Sequence, residues 1–149
     1  MLTRTRPTSA RTPLVYVAGI FMIGSHVMVQ QRARAPYRGL WSLPVRILTD
    51  SSPPEQVLRD MAKDCGHLLL DEAHVCAIDS ISAHRDGVIV PMIHILYKAQ
   101  IRTPMRPEID AWGASQTGVV QMCHLQKLSR YKMAFGHEKY LKVTNGEYE

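Results

Sequence analysis

Arg59-Asp60-Met61-Ala62-Lys63-Asp64-Cys65-Gly66, fifteen residues beyond Gly39-Leu40-Trp41-Ser42-Leu43-Pro44, decides how this chain reads. Just upstream, Asp50-Ser51-Ser52-Pro53-Pro54-Glu55 carries the marks of a helix start. Ser52 serves as N-cap, Pro53 takes the first helical position, and Glu55 lies at the capping-box distance. The spacing predicts a helix to about Cys65, with Gly66 as its stop. Val57, Leu58, Met61, Ala62 and Cys65 make its apolar stripe, while Gln56, Arg59, Asp60, Lys63 and Asp64 face the other way. Asp60 and Asp64 are four apart, one helical turn above the other. Carboxylates so placed can share a hard cation such as Mg²⁺. Lys63 opposes this: at ~4 Å and an effective dielectric near 20, one unit-charge pair is worth about 4 kcal/mol, roughly twice that for a divalent ion.

In register with Gly39-Leu40-Trp41-Ser42-Leu43-Pro44, the same residues resemble the Nudix signature, a loop–helix–loop that holds magnesium against a nucleoside diphosphate. Its pattern runs Gly, five residues, Glu, seven residues, then Arg-Glu-apolar-any-Glu-Glu-any-Gly-apolar. With Arg59 and Gly66 on the pattern's Arg and second Gly, its first Gly falls on Val45 and its first Glu on Ser51. The three helix glutamates fall on Asp60, Lys63 and Asp64. The hairpin Leu14–Gln31, the basic loop Arg32-Ala33-Arg34-Ala35-Pro36, and Glu108-Ile109-Asp110-Ala111-Trp112 extend the resemblance over roughly residues 14–130. It implies an α+β fold, an α/β/α sandwich with a mixed β-sheet. It also implies Asp60 and Asp64 as residual metal ligands, Arg59 as the residue orienting the loop, and Glu108 or Asp110 as a late-loop carboxylate. Two of the four acidic positions are lost and two are a methylene shorter. The alternative reading is a solvated helix face, with Asp60 paired to Lys63 and Arg59 fixing a loop carbonyl.

Outward from the helix, Leu14–Phe21 reads as a buried strand, and Gly24-Ser25 turns it into His26–Gln30. Leu43–Leu48 reads as a short strand and Leu68–Ser82 as a longer one. Arg85-Asp86-Gly87 is a hairpin turn into Val88–Ile101, where Pro91 points to an edge or a bulge. Ile109–Gly113 is a short strand; 125–130 and 136–142 are helical. Strands interleaved with helices place a mixed sheet between helical layers. Trp41, His94 and most of the eight methionines are assigned to the core. The seven histidines show no metal-ligand spacing.

The chain's 149 residues suit one domain, placed at 14–145 behind a basic arm, residues 1–13. The longest apolar run, Leu14–Ile23, is half the ~20 residues a membrane span needs. Three unpaired cysteines suit a reducing, cytoplasmic compartment, and the acid-free arm leaves a mitochondrial address as the alternative. The first 49 residues hold seven arginines and no acid; the remaining hundred hold eleven cations against thirteen acids. This asymmetry points to an anionic partner. Arg32, Arg34, Arg38, Arg46 and Lys63 are the candidate cradle for the phosphate of a nucleotide or RNA. The leading reading is a Nudix-fold protein with a degenerate box, inactive or nearly so, that binds a nucleotide, RNA or a protein partner without metal. Its rivals are a magnesium-dependent hydrolase of nucleoside diphosphate derivatives and a structural subunit docked through the arm. Dimerisation, common in that fold, is left open by the sequence.

Overall fold

β1 (Leu14–Ile23) is the frame on which the sheet is built, because three strands pair with it. The computed structural model describes residues 13–34, 36–49, 51–85, 87–103, 114–115 and 118–141. The arm, and the Glu108–Trp112 segment with its expected short strand, lie outside them. The other strands are β2 (His26–Arg32), β3 (Trp41–Ser42), β4 (Val45–Ile47), β5 (His74–Arg85), β6 (Val88–Gln100), β7 (Ala114–Ser115) and β8 (Gly118–His124). They form one mixed sheet in the order β5-β6-β1-β2-β8-β7, with β3 added to β2 and β4 to β1. β1 runs parallel to β6 from Leu14↔Met92 to Met22↔Gln100, and antiparallel to β2 and β4. Such a strand is covered on both faces, which explains its unbroken apolar run.

Alternate β1 residues serve two cores. Val17 and Phe21 face α1 (Pro54–Asp64), whose Val57, Leu58, Met61 and Ala62 close one layer. Ala18, Ile20 and Met22 face the opposite layer, closed by Leu125 and Leu128 of a 3₁₀ helix (Leu125–Arg130) and by Phe135 and Leu141. The arrangement is the expected three-layer α+β sandwich, with the helical segment at 125–130 taking the 3₁₀ form and residues 138–141 helical. Five methionines (Met22, Met28, Met61, Met92 and Met122) are buried as expected.

Three local readings need correction. Pro53, not Ser52, is the N-cap of α1, and it makes no side-chain cap bond. Its carbonyl takes the amides of Gln56 and Val57, so Pro54 holds the first helical position. β5 starts at His74 rather than Leu68, because Leu68 is drawn beneath α1 and Leu70 makes only an isolated bridge to Ile101. Trp41 is half-buried rather than core: its indole meets Tyr131 edge-on at 4.9 Å, and its backbone pairs with Lys132 and Ala134. Pro91 stands one residue before β6 begins to pair with β1, where its missing N–H costs nothing.

Two fully buried histidines join the layer opposite α1. The Leu43 amide donates to His137 Nδ1 at 3.2 Å, and His137 Nε2 lies 3.1 Å from His94 Nδ1. An accepting Nδ1 puts the His137 proton on Nε2, which donates to His94 and leaves the His94 proton on Nε2. That last N–H is buried without a partner among the described residues. His94 is thus a core histidine as expected, satisfied at one nitrogen only. Burial, helped by the nearby Arg32 cation, lowers its pKa from 6.5 to about 4, and burial holds His137 well below 6.5 as well. An unfolded histidine binds protons below about 6.5 that the folded rings refuse, so stability falls as pH drops through that window. The loss is about 1.4 kcal/mol per pH unit for each neutral ring. Urea midpoints are expected to hold from pH 8 to 7 and fall steadily toward pH 5, while ¹⁵N spectra at pH 5 show both rings neutral. A midpoint unchanged between pH 7 and 5 contradicts this assignment.

Candidate functional site

The end of α1 and the strand β4 meet at a shallow cleft of about 470 Å³ lined by Arg46, Asp60, Lys63, Asp64 and His67. Each residue is there for a local reason. Asp60, Lys63 and Asp64 lie on the helix face opposite the buried stripe. Beyond Cys65 the chain turns back through Gly66 (φ 120°) and His67 (φ 56°), and the amides of His67 and Leu68 return to the carbonyls of Lys63 and Ala62. Glycine takes that left-handed conformation freely; His67 does so at a cost and is carried to the rim of the cleft. Arg46 comes from β4, paired through Val17 on β1.

The carboxylates are already engaged. Asp64 Oδ2 accepts from Arg46 Nη2 at 3.3 Å, a half-buried ion pair. Asp60 Oδ1 accepts from Gln56 Nε2 at 2.9 Å, so the anticipated Asp60–Lys63 pair is replaced by a neutral bond one turn back along the helix. Among the described residues no group of three or more His, Cys, Asp or Glu side chains is placed to hold a metal. A Mg²⁺ ion here would have two aspartates, one tied to a guanidinium, and an ammonium between them. The donor set does not suit a hard divalent ion, which wants near-octahedral oxygen ligands.

The two remaining signature positions are also accounted for. Val45, at the pattern's first glycine, is buried in β4 opposite Ala18, where extended backbone needs no glycine. Ser51 is exposed, and its hydroxyl bonds Thr49 Oγ1 at 2.9 Å. Arg59 lies outside the cleft, on the wall of a neighbouring cavity of about 780 Å³ that shares Asp60, Lys63 and His67. That cavity has an apolar floor from Leu58, Ala62 and Leu68. No bond from Arg59 to a loop carbonyl is present among the described residues.

The expected five-residue cationic cradle is not assembled. Arg32 Nε donates to the Pro36 carbonyl at 2.7 Å, and its guanidinium stacks 4.8 Å from the centre of the Phe135 ring. It stiffens the β2–β3 loop, and burial lowers its pKa. Arg34 and Arg38 are exposed on that loop and do not line the cleft. Arg46 and Lys63 alone share the cleft, joined by His67, which the sequence reading passed over. The available signal was its position directly after Gly66, where the signature calls for an apolar residue. The Cys65 thiol beside the cleft is held protonated: burial, reinforced by Asp64, pushes it up to about 12.

No protein-family profile matches the chain, and no curated protein sequence does. Solved structures do. The NUDIX domain of Shewanella oneidensis NrtR, crystallised with ADP-ribose, superposes with a TM-score of 0.72 at 15% identity, over 97% of this chain and 94% of that one. The chain has the Nudix fold. A NUDIX hydrolase from Nitrosomonas europaea gives 0.70 at 9% identity, over 91% and 90% of the two chains. A MutT NUDIX hydrolase from Burkholderia pseudomallei gives 0.66 at 17% identity, over 89% and 98%. At such identities the shared property is the Nudix fold itself, and the chemistry of this cleft rests on its own side chains.

If Arg46 and Lys63 are what keep a cation out, replacing both will admit one. The Arg46→Gln/Lys63→Glu variant is expected to gain a thermal shift of several degrees in millimolar Mn²⁺, with the unsubstituted protein unmoved. A wild-type shift as large as the variant's contradicts this reading of the cleft.

Proposed function

We propose that this Nudix-fold protein is a metal-independent binding module for a phosphate-bearing nucleotide, without hydrolytic activity of its own. The observation that carries the reading is the 3.3 Å ion pair between Arg46 and Asp64, where the Nudix signature calls for a metal-ligating glutamate. Asp64 is paired to Arg46, and Asp60 keeps its charge while accepting from the neutral Gln56 amide. Asp60 shares the cleft with the ammonium of Lys63 and the imidazole of His67, the two groups that can donate to a phosphate beside it. Arg46 uses one of its five donors on Asp64, and the rest can meet a phosphate oxygen. The adjoining 780 Å³ cavity lies within the ~300–1,000 Å³ range of small-molecule sites and is large enough for the remainder of a nucleotide. A compact ligand fits this geometry better than RNA, because Arg34 and Arg38 lie away from the cleft and form no continuous track with it. The NrtR domain bound to ADP-ribose, with a longer NrtR chain bound to a 27mer DNA, supports ligand binding as a use of this fold.

One observation favours the magnesium-dependent hydrolase: Asp60 and Asp64 do line the same cleft. The two readings separate in a single series. Calorimetry with ADP-ribose as the probe is expected to give the same affinity in EDTA as in Mg²⁺. Binding should weaken about fivefold between roughly 20 and 300 mM salt as the cleft charges are screened. Lys63→Glu should weaken it about tenfold, close to 1.4 kcal/mol. Cleavage of ADP-ribose to AMP and ribose 5-phosphate that requires Mg²⁺ or Mn²⁺ and disappears in Asp64→Asn establishes the hydrolase instead.

A further inference from the structure

The sheet ends at β5, whose outer edge no strand among the described residues pairs with. β5 spans twelve residues, and a bulge between Val75 and Ala77 breaks its register with β6. From Ala77 to Arg85 the register is regular over nine residues, about 30 Å of open edge at ~3.4 Å per residue. Natural edges are usually guarded by shortness, lysine, proline or an inward charge. This run holds no lysine and no proline. Its one acid, Asp79, is occupied by Lys139 of the same chain at 2.9 Å and by the Tyr140 hydroxyl.

An uncovered face adjoins the open edge. α1 packs chiefly over β1 and β4 and reaches β6 only around Ile95 and Tyr97, so the outer part of that face on the β5–β6 hairpin is uncovered among the described residues. On it lie Ile78, paired to Ile95, and Ile89; they are 67% and 60% exposed, with Ile93 half-buried between them. Exposed backbone donors and acceptors beside an uncovered isoleucine patch are what strand addition uses.

We infer that β5 pairs with β5 of a second copy of this chain, antiparallel across a two-fold axis at Ile81, to make one continuous sheet through the dimer. The bulge ends the regular run at one side and the β5–β6 turn at the other, so Ile81 is its midpoint and a two-fold there uses all nine positions. In that register Ile81 lies opposite itself, Ser80 opposite Ser82, and Asp79 opposite Ala83. No acid meets an acid, whereas an axis at Asp79 would face two carboxylates and shorten the pairing. A run that is compatible with its own reverse is the requirement of an isologous contact. This inference is independent of the ligand assigned to the cleft.

Sedimentation velocity on the full chain from about 1 to 200 μM is the test, with dissociation expected in the micromolar range. Ile78→Lys/Ser80→Lys places four cations at the axis without touching the core, and should sediment as a monomer throughout with an unchanged thermal melt. In a Cys76→Ser background, Ser80→Cys/Ser82→Cys should form intermolecular disulfides under mild oxidation. A wild-type chain that stays monomeric to 200 μM overturns the proposal, as does a dimer that survives the lysine variant.

Discussion

An ion pair between Arg46, carried by β4, and Asp64, the last residue of α1, sets the chemistry available to this fold. It joins two elements that β1 holds in place, since β4 pairs with one edge of β1 and α1 packs on one of its faces. As a contribution to stability such a partly exposed pair is small, about 0.2–1 kcal/mol. Its consequence is electrostatic. A divalent ion would have to displace a guanidinium from Asp64 and then sit beside the ammonium of Lys63, and each opposing charge raises its energy by several kcal/mol on the scale of about 4 kcal/mol per unit pair at 4 Å. In the proposed function the two cations that disfavour a metal, Arg46 and Lys63, are the ones that would meet a phosphate.

The opposite layer is organised by a different polar chain. Leu43, in the loop before β4, donates to His137 near the carboxyl end, which meets His94 on β6. Arg32 and Tyr37 pack on Phe135 in the same layer. Three distant segments are therefore locked by groups that must stay neutral or fully stacked. Through its Pro36 and Phe135 contacts Arg32 ties the β2–β3 loop to that layer. Buried polar chains of this kind are strong when complete, and this one ends at the His94 Nε2–H, which has no acceptor among the described residues.

Much of the fold was legible because its signals are local. The apolar run of β1, the stripe of α1, Gly66 and the Arg85–Gly87 turn each state their structure within a few residues. The misplaced boundaries also have physical causes. Two consecutive prolines both satisfy the first helical position, and Leu68–Leu70 has strand composition while serving as a strap beneath α1. The site was legible only in part. The helix spacing correctly brought Asp60, Lys63 and Asp64 to one face. Their partners depend on contacts between distant segments: Arg46 reaches Asp64 across 18 residues of sequence, and Arg32 finds Phe135 only after the chain has crossed the whole sheet. A count of arginines in the first third could not distinguish the one that enters the cleft from those that do not. His67 was hidden for a related reason, since its place at the rim depends on a left-handed turn rather than on residue type.

The account stands on Asp64 being committed to Arg46 and closed to divalent ions. Paramagnetic broadening of backbone amide resonances during a Mn²⁺ titration reads this directly, because broadening falls steeply with distance from the bound ion. Uniform, weak broadening across the surface, with Asp60–Gly66 no more affected than other exposed segments, is the predicted result. Selective loss of the Asp60–Gly66 signals at sub-stoichiometric Mn²⁺ would place a metal between the aspartates and contradict the account.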